Sequence, residues 1–228
     1  MINAAKKRDM AKRVSYYILG TLIMAFGVTM AVRADIGVAP GSTISYALSK
    51  LTPLTLGQSS AAVQIACVLL QLIMTKRATL KLLLQFPLSY VFGFIIDVFY
   101  LLLDIPFEGY LYRLLFLLAG LVIFSLGIRI LVGADILLPP TDGLAQALGR
   151  LFGWPMSKGK LAFDIIITGG TAILTLIAAG DFFMVVGVGT VICAIGTGPI
   201  IGLFTKLFPF FDAAKNTPDN RNSDHTVP

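Results

Sequence analysis

Arg33-Ala34-Asp35-Ile36-Gly37-Val38-Ala39-Pro40 is answered by Gly133-Ala134-Asp135-Ile136-Leu137-Leu138-Pro139-Pro140, 100 positions later and without a gap. Over residues 20–51 and 120–151, 11 positions are identical: Gly20/Gly120, Ile23/Ile123, Gly27/Gly127, Val32/Val132, Ala34/Ala134, Asp35/Asp135, Ile36/Ile136, Pro40/Pro140, Ala47/Ala147, Leu48/Leu148 and Leu51/Leu151. The shared core is Ala-Asp-Ile with proline four residues on, directly after a long apolar run. That pattern is a membrane helix broken at an acid and a proline, made twice. Duplicated broken helices are the best sequence pointer to a transporter's binding site.

The surrounding composition agrees. Of 228 residues 57% are hydrophobic and 13% charged, about half the charge of a soluble domain. Mean hydropathy is +0.86. These values exclude a soluble enzyme and give a reason other than nucleic acid for the basic excess of 18 Lys/Arg over 12 Asp/Glu. Cys67 and Cys193 lie in apolar runs and read as core residues, and His225 lies in a polar tail, so no metal or cofactor site is expected.

A spanning helix needs about 20 apolar residues. Residues 14–32, 58–75, 82–103, 114–132, 161–179 and 182–205 meet this. The expected domains are a basic amino terminus over 1–13, repeat one over 14–103, repeat two over 104–211 and a disordered tail over 212–228. With the amino terminus cytoplasmic, 14 of the 18 basic residues fall inside: Lys6, Lys7, Arg8, Lys12, Arg13, Lys76, Arg77, Lys81, Arg150, Lys158, Lys160, Lys206, Lys215 and Arg221. The positive-inside rule then places both termini in the cytoplasm.

Three spans per repeat is an odd number, so the second copy enters upside down. The expected fold class is an all-α membrane protein of six transmembrane helices in two inverted three-helix repeats, each with a broken helix and a short re-entrant half-helix. Residues 41–51 and 141–151 reach only about half the bilayer at about 1.5 Å per residue.

Pro40 and Pro140 suit the first turn of a new helix, and Ser42, Thr43, Thr141 and Asp142 are capping types. Two helix starts at membrane depth present free N–H groups and favour an anion. Arg33 and Arg129 strengthen that sign as partners for a carboxylate, although Arg33 could equally snorkel to the surface. Asp35, Asp135 and Asp97 are the candidates for proton or ion coupling; the plain alternative is a loop or cap role at the breaks, and for Asp97 a buried partner to an arginine or an outer-end residue reaching the headgroups. Asp164 follows Lys160 at helical spacing and reads as a structural pair, and Gln64 is its repeat-mate. The glycines of the last span, with Gly198-Pro199, read as close packing or as a bend.

Ala34–Pro40, the six-span size and Gly196-Thr197-Gly198-Pro199 resemble the bacterial YczE/YyaS/YitT group of integral membrane proteins. The resemblance implies a bacterial inner-membrane location and no substrate. The expected function is secondary transport of a small anionic metabolite about a midplane site, with proton coupling as an option. The expected partners are that substrate and the bilayer, with no nucleic acid and a homodimer as the assembly option. A channel and a non-transporting assembly or sensor protein are the alternatives. An intramembrane enzyme using Asp35 and Asp135 as an acid pair is the remotest, and the chain is read as not enzymatic.

Overall fold

The structure is a computed structural model that describes residues 2–76, 78–105 and 109–209. The tail over 212–228 and Arg77 lie outside these residues. Among them the chain is all helical: α1 (Ile2–Ala34), a 3₁₀ turn (Pro40–Ser42), α2 (Thr43–Leu51), α3 (Leu56–Thr75), α4 (Leu80–Leu102), α5 (Tyr110–Ala134), α6 (Pro140–Leu151), α7 (Met156–Ala179) and α8 (Val188–Leu207). Six are long and apolar enough to cross a membrane: α1 from Asp9, α3, α4, α5, α7 and α8. The protein is a multi-pass membrane protein.

Local chemistry sets the breaks. Asp35 and Asp135 end α1 and α5 in the left-handed conformation, at φ 51° and 50°, a region in which aspartate is over-represented among non-glycine residues. Pro140 then opens α6, so its cap position moves upstream to Pro139, while Pro40 opens the 3₁₀ turn, capped at Ala39, that leads into α2 with Ser42 at the cap position. Neither start has a side-chain cap, which corrects the capping roles expected of Ser42, Thr43, Thr141 and Asp142. Thr43 instead donates to the Pro40 carbonyl at 2.8 Å. A capping box of Thr55 and Gln58 starts α3. The last span starts at Val188, not at 182, and its first turn packs on the first break: the Gly189 N–H donates to the Ile36 carbonyl at 2.8 Å.

The centre of the fold is the crossing of α1 and α5. A Cβ on Gly20 would lie 2.6 Å from the Leu131 nitrogen, and one on Gly120 would lie 2.9 Å from the Met30 Cβ. Gly27 meets the backbone of Phe124, and Gly127 that of Met24. These four glycines, which the two copies share, let the helix backbones approach closely. As one helix's numbers rise along the seam the other's fall, so α1 and α5 run antiparallel.

The remaining packing also pairs off under exchange of the halves. α1 packs on α4 as α5 does on α8, and α2 on α3 as α6 does on α7. The short helices cross over, α6 packing on α3 and α2 on α7. One pair breaks the rule. α3 and α4 pack along their length, whereas α7 and α8 do not. At the first seam the Gly57 and Gly93 backbones touch, and Asp97 accepts from Thr55 Oγ1 at 2.6 Å and from the Gly57 N–H at 2.7 Å.

Candidate functional site: a cavity between the two halves

A cavity of about 380 Å³ lies where the two short helices begin. Its volume is at the small end of the usual range for ligand sites, about 300–1,000 Å³. Both halves line it at matching positions: Met24 and Phe124, Val28 and Ile128, Ala39 and Pro139, Gly41 and Thr141, Ser42 and Asp142, Ser60 and Lys160, Gln64 and Asp164. The first half supplies hydroxyls and an amide. The second supplies charge.

Lys160 Nζ stands 3.1 Å from Asp142 Oδ1 and 3.0 Å from Asp164 Oδ1. One ammonium faces two carboxylates, which leaves an excess negative charge. Asp142 occupies the first turn of α6, where free N–H groups favour an anion. The Lys160 side chain is half-buried, and it lines the cavity together with both carboxylates. Sequence reading counts Lys160 as an inner-loop residue because α7 is expected to start at 161. The helix starts at Met156, which moves Lys160 one turn inside it. The polar repeat-mates Ser60 and Gln64 are the sequence signal for this pair.

Of the other expected site residues, Pro40, Ser42, Thr141 and Asp142 line the cavity. Pro140 lines the adjoining crevice, and its carbonyl accepts from Gln71 Nε2 at 2.9 Å. Thr43 is fully buried, 3.4 Å from Thr171 Oγ1 on α7. Arg33 lies away from the cavity, stacked 3.7 Å over the Tyr100 ring, bonded to that residue's carbonyl and 3.1 Å from Asp104. Arg129 is buried in α5 and also outside the lining, with Nη2 donating to the Phe208 carbonyl at 3.2 Å.

The three aspartates assigned to coupling lie elsewhere too. Asp97 holds the start of α3, as described. Asp135 receives Arg13 Nη2 at 2.6 Å, and Arg13 Nε donates to the Ala134 carbonyl at 3.0 Å. Asp35 is bound by Lys50 at 2.8 Å and by the Tyr46 hydroxyl, with Arg113 at 3.8 Å. Burial pushes the Asp35 carboxyl up, but the hydrogen bonds from Lys50 and Tyr46 and the charges of Lys50 and Arg113 outweigh it, leaving Asp35 below its ordinary value.

Beside the cavity each half has a crevice, and the two differ. The one lined by Thr21, Met24, Leu131, Leu138 and Pro139 measures about 120 Å³. Its counterpart at Leu121, Phe124, Ala31, Val38 and Ala39 measures about 10 Å³.

The comparisons place the chain among bacterial membrane proteins. It is similar to "Uncharacterized membrane protein YczE" of Bacillus subtilis (strain 168), 28% identical over 198 residues that cover 86% of each chain. It is also similar to "Uncharacterized protein YyaS" of the same organism, 24% identical over 203 residues, 88% of this chain and 96% of the relative. No solved structure matches it. The family described as "Family of unknown function (DUF6198)" matches residues 11–206, and the chain belongs to that family.

Proposed function

We propose that this protein is a secondary transporter that moves a small anionic metabolite by alternating access through the cavity between two inverted halves. The observation that carries the reading is the cavity itself, built from equivalent positions of both copies where both short helices start. The antiparallel crossing of α1 and α5 supports the inversion. The re-entrant path is supported by Lys50, near the end of α2, which binds Asp35 beside the end of α1 while Pro40 reaches the cavity. In this reading the carboxylates that line the cavity, Asp142 and Asp164, take the proton-coupling role in place of Asp35, Asp135 and Asp97.

The asymmetry of the seams fits one state of such a cycle. The cavity lining runs along Ser157, Lys160 and Leu161 of α7 and Thr197 and Ile201 of α8, the two helices that stay apart. With the termini cytoplasmic, this seam opens inward. The α3–α4 seam, closed by Gly57, Gly93 and Asp97, is its counterpart on the outer side. Exchanging the two arrangements would turn the cavity over.

Counterflow in proteoliposomes tests the reading. Vesicles preloaded with unlabelled pyruvate, lactate or benzoate are diluted into the labelled compound. Saturable accumulation of label above that in protein-free vesicles is expected for at least one. Flux without saturation would indicate a channel, and no flux across the panel would point to an assembly or sensor protein.

A further inference from the structure

We infer that the cavity loads a small organic carboxylate together with one proton, Lys160 receiving the anion and Asp164 the proton; this rests on the reading of the cavity as a transport site.

Charge decides the pairing. Lys160 is the cationic side chain among the described residues that line the cavity, and two carboxylates already hold it. A carboxylate arriving alone would meet an excess negative charge in a low-dielectric enclosure, where repulsion is strong. A proton from the aqueous mouth removes that obstacle. It forms an O–H bond on Asp164, whose charge-assisted bond from Lys160 is lost, and the freed N–H of Lys160 turns to the incoming carboxylate. The loaded site then carries the same net charge as the empty one. Loading is electroneutral, and no additional charge has to be buried.

Asp164 gives way rather than Asp142 because Asp142 sits at the start of α6, where the helix favours its charge. Asp164 lies within α7, beyond its first turn, and shares the cavity with an apolar wall. That wall, with Val28, Phe92 and Ile128, provides for an organic body that an inorganic anion lacks.

Binding to the purified protein tests this apart from transport. Sodium pyruvate, lactate and benzoate are titrated calorimetrically in two buffers of different ionisation heat, which counts protons. One proton taken up per anion, with affinity rising as pH falls, is expected. Lys160→Gln should weaken binding about tenfold or more, with Lys160→Arg restoring part of it. Asp164→Asn should bind without proton uptake. Binding without proton uptake in the parent protein, uptake persisting in Asp164→Asn, unchanged affinity in Lys160→Gln, or binding of methylammonium in place of all three acids would each overturn the inference. Proton-linked binding without counterflow would remove only the transporter reading, and counterflow without proton uptake would remove only this one.

Discussion

Arg13 and Asp135 meet at 2.6 Å across 122 residues of sequence, and their repeat-mates Arg113 and Asp35 face each other at 3.8 Å. The arginines also reach the preceding carbonyls, Ala134 for Arg13 at 3.0 Å and Ala34 for Arg113 at 3.3 Å. Each half therefore clasps the broken corner of the other, once at either end of the α1–α5 pair. Asp135 is 62% exposed, so the pair adds little stability, less than about 1 kcal/mol. Arg13→Gln should lower the melting temperature only slightly, yet it should speed labelling of a cysteine at Ser157 from the cytoplasmic side. The charge-swapped pair Arg13→Asp with Asp135→Arg should reverse that. Unchanged labelling in Arg13→Gln would show that the clasp has no part in opening.

Asp97 ties α3 to α4 through the Thr55 hydroxyl and the Gly57 N–H. Asp97→Ala removes two hydrogen bonds at the α3 start and should destabilise the protein by about 1–3 kcal/mol in a detergent melt. Asp97→Asn, which keeps the shape, should retain proton-linked binding. Loss of proton uptake in that variant would return Asp97 to the coupling path.

Asp35 makes stability acid-sensitive. Its carboxyl titrates below the ordinary value of 3.8 in the folded chain, so its contribution is complete above that value and is lost as pH falls through the depressed one. Melting temperatures measured down through this acid range should fall less steeply for Asp35→Asn than for the parent. Equal slopes would show that the Lys50 and Tyr46 contacts do not persist in solution.

Gly37 sits at φ +106°, and a Cβ there would lie 2.8 Å from the Thr190 nitrogen. Gly37→Ala should cost about 1–3 kcal/mol of backbone strain and press the α8 start away from the first break. A melt indistinguishable from the parent's would contradict the close approach of this loop to α8.

The duplicated break was legible because Ala-Asp-Ile and proline are rare signals in an apolar run, and they place both short helices to within two residues. The clasps were not. Upstream of Gly20, Arg13 and Arg113 stand among unlike neighbours, so the equivalence shows only once the helices cross. Lys160 was hidden for another reason. Charge counting assigns a lysine beside a span to the loop, and only the early start of α7 brings it to Asp142. Arg33 and Arg129 drew notice as intramembrane charges, but a sequence does not tell which side of a helix faces a cavity and which faces a neighbouring carbonyl.

Inversion of the two halves is the claim on which the cavity, the clasps and the seams all depend. Single cysteines replace Lys50 and Arg150 in a protein whose Cys67 and Cys193 have been changed to alanine, and an impermeant maleimide is applied to intact cells and to inverted vesicles. Labelling of the Lys50 position in cells and of the Arg150 position only in inverted vesicles is the predicted result. Labelling of both positions from the same face would contradict the account.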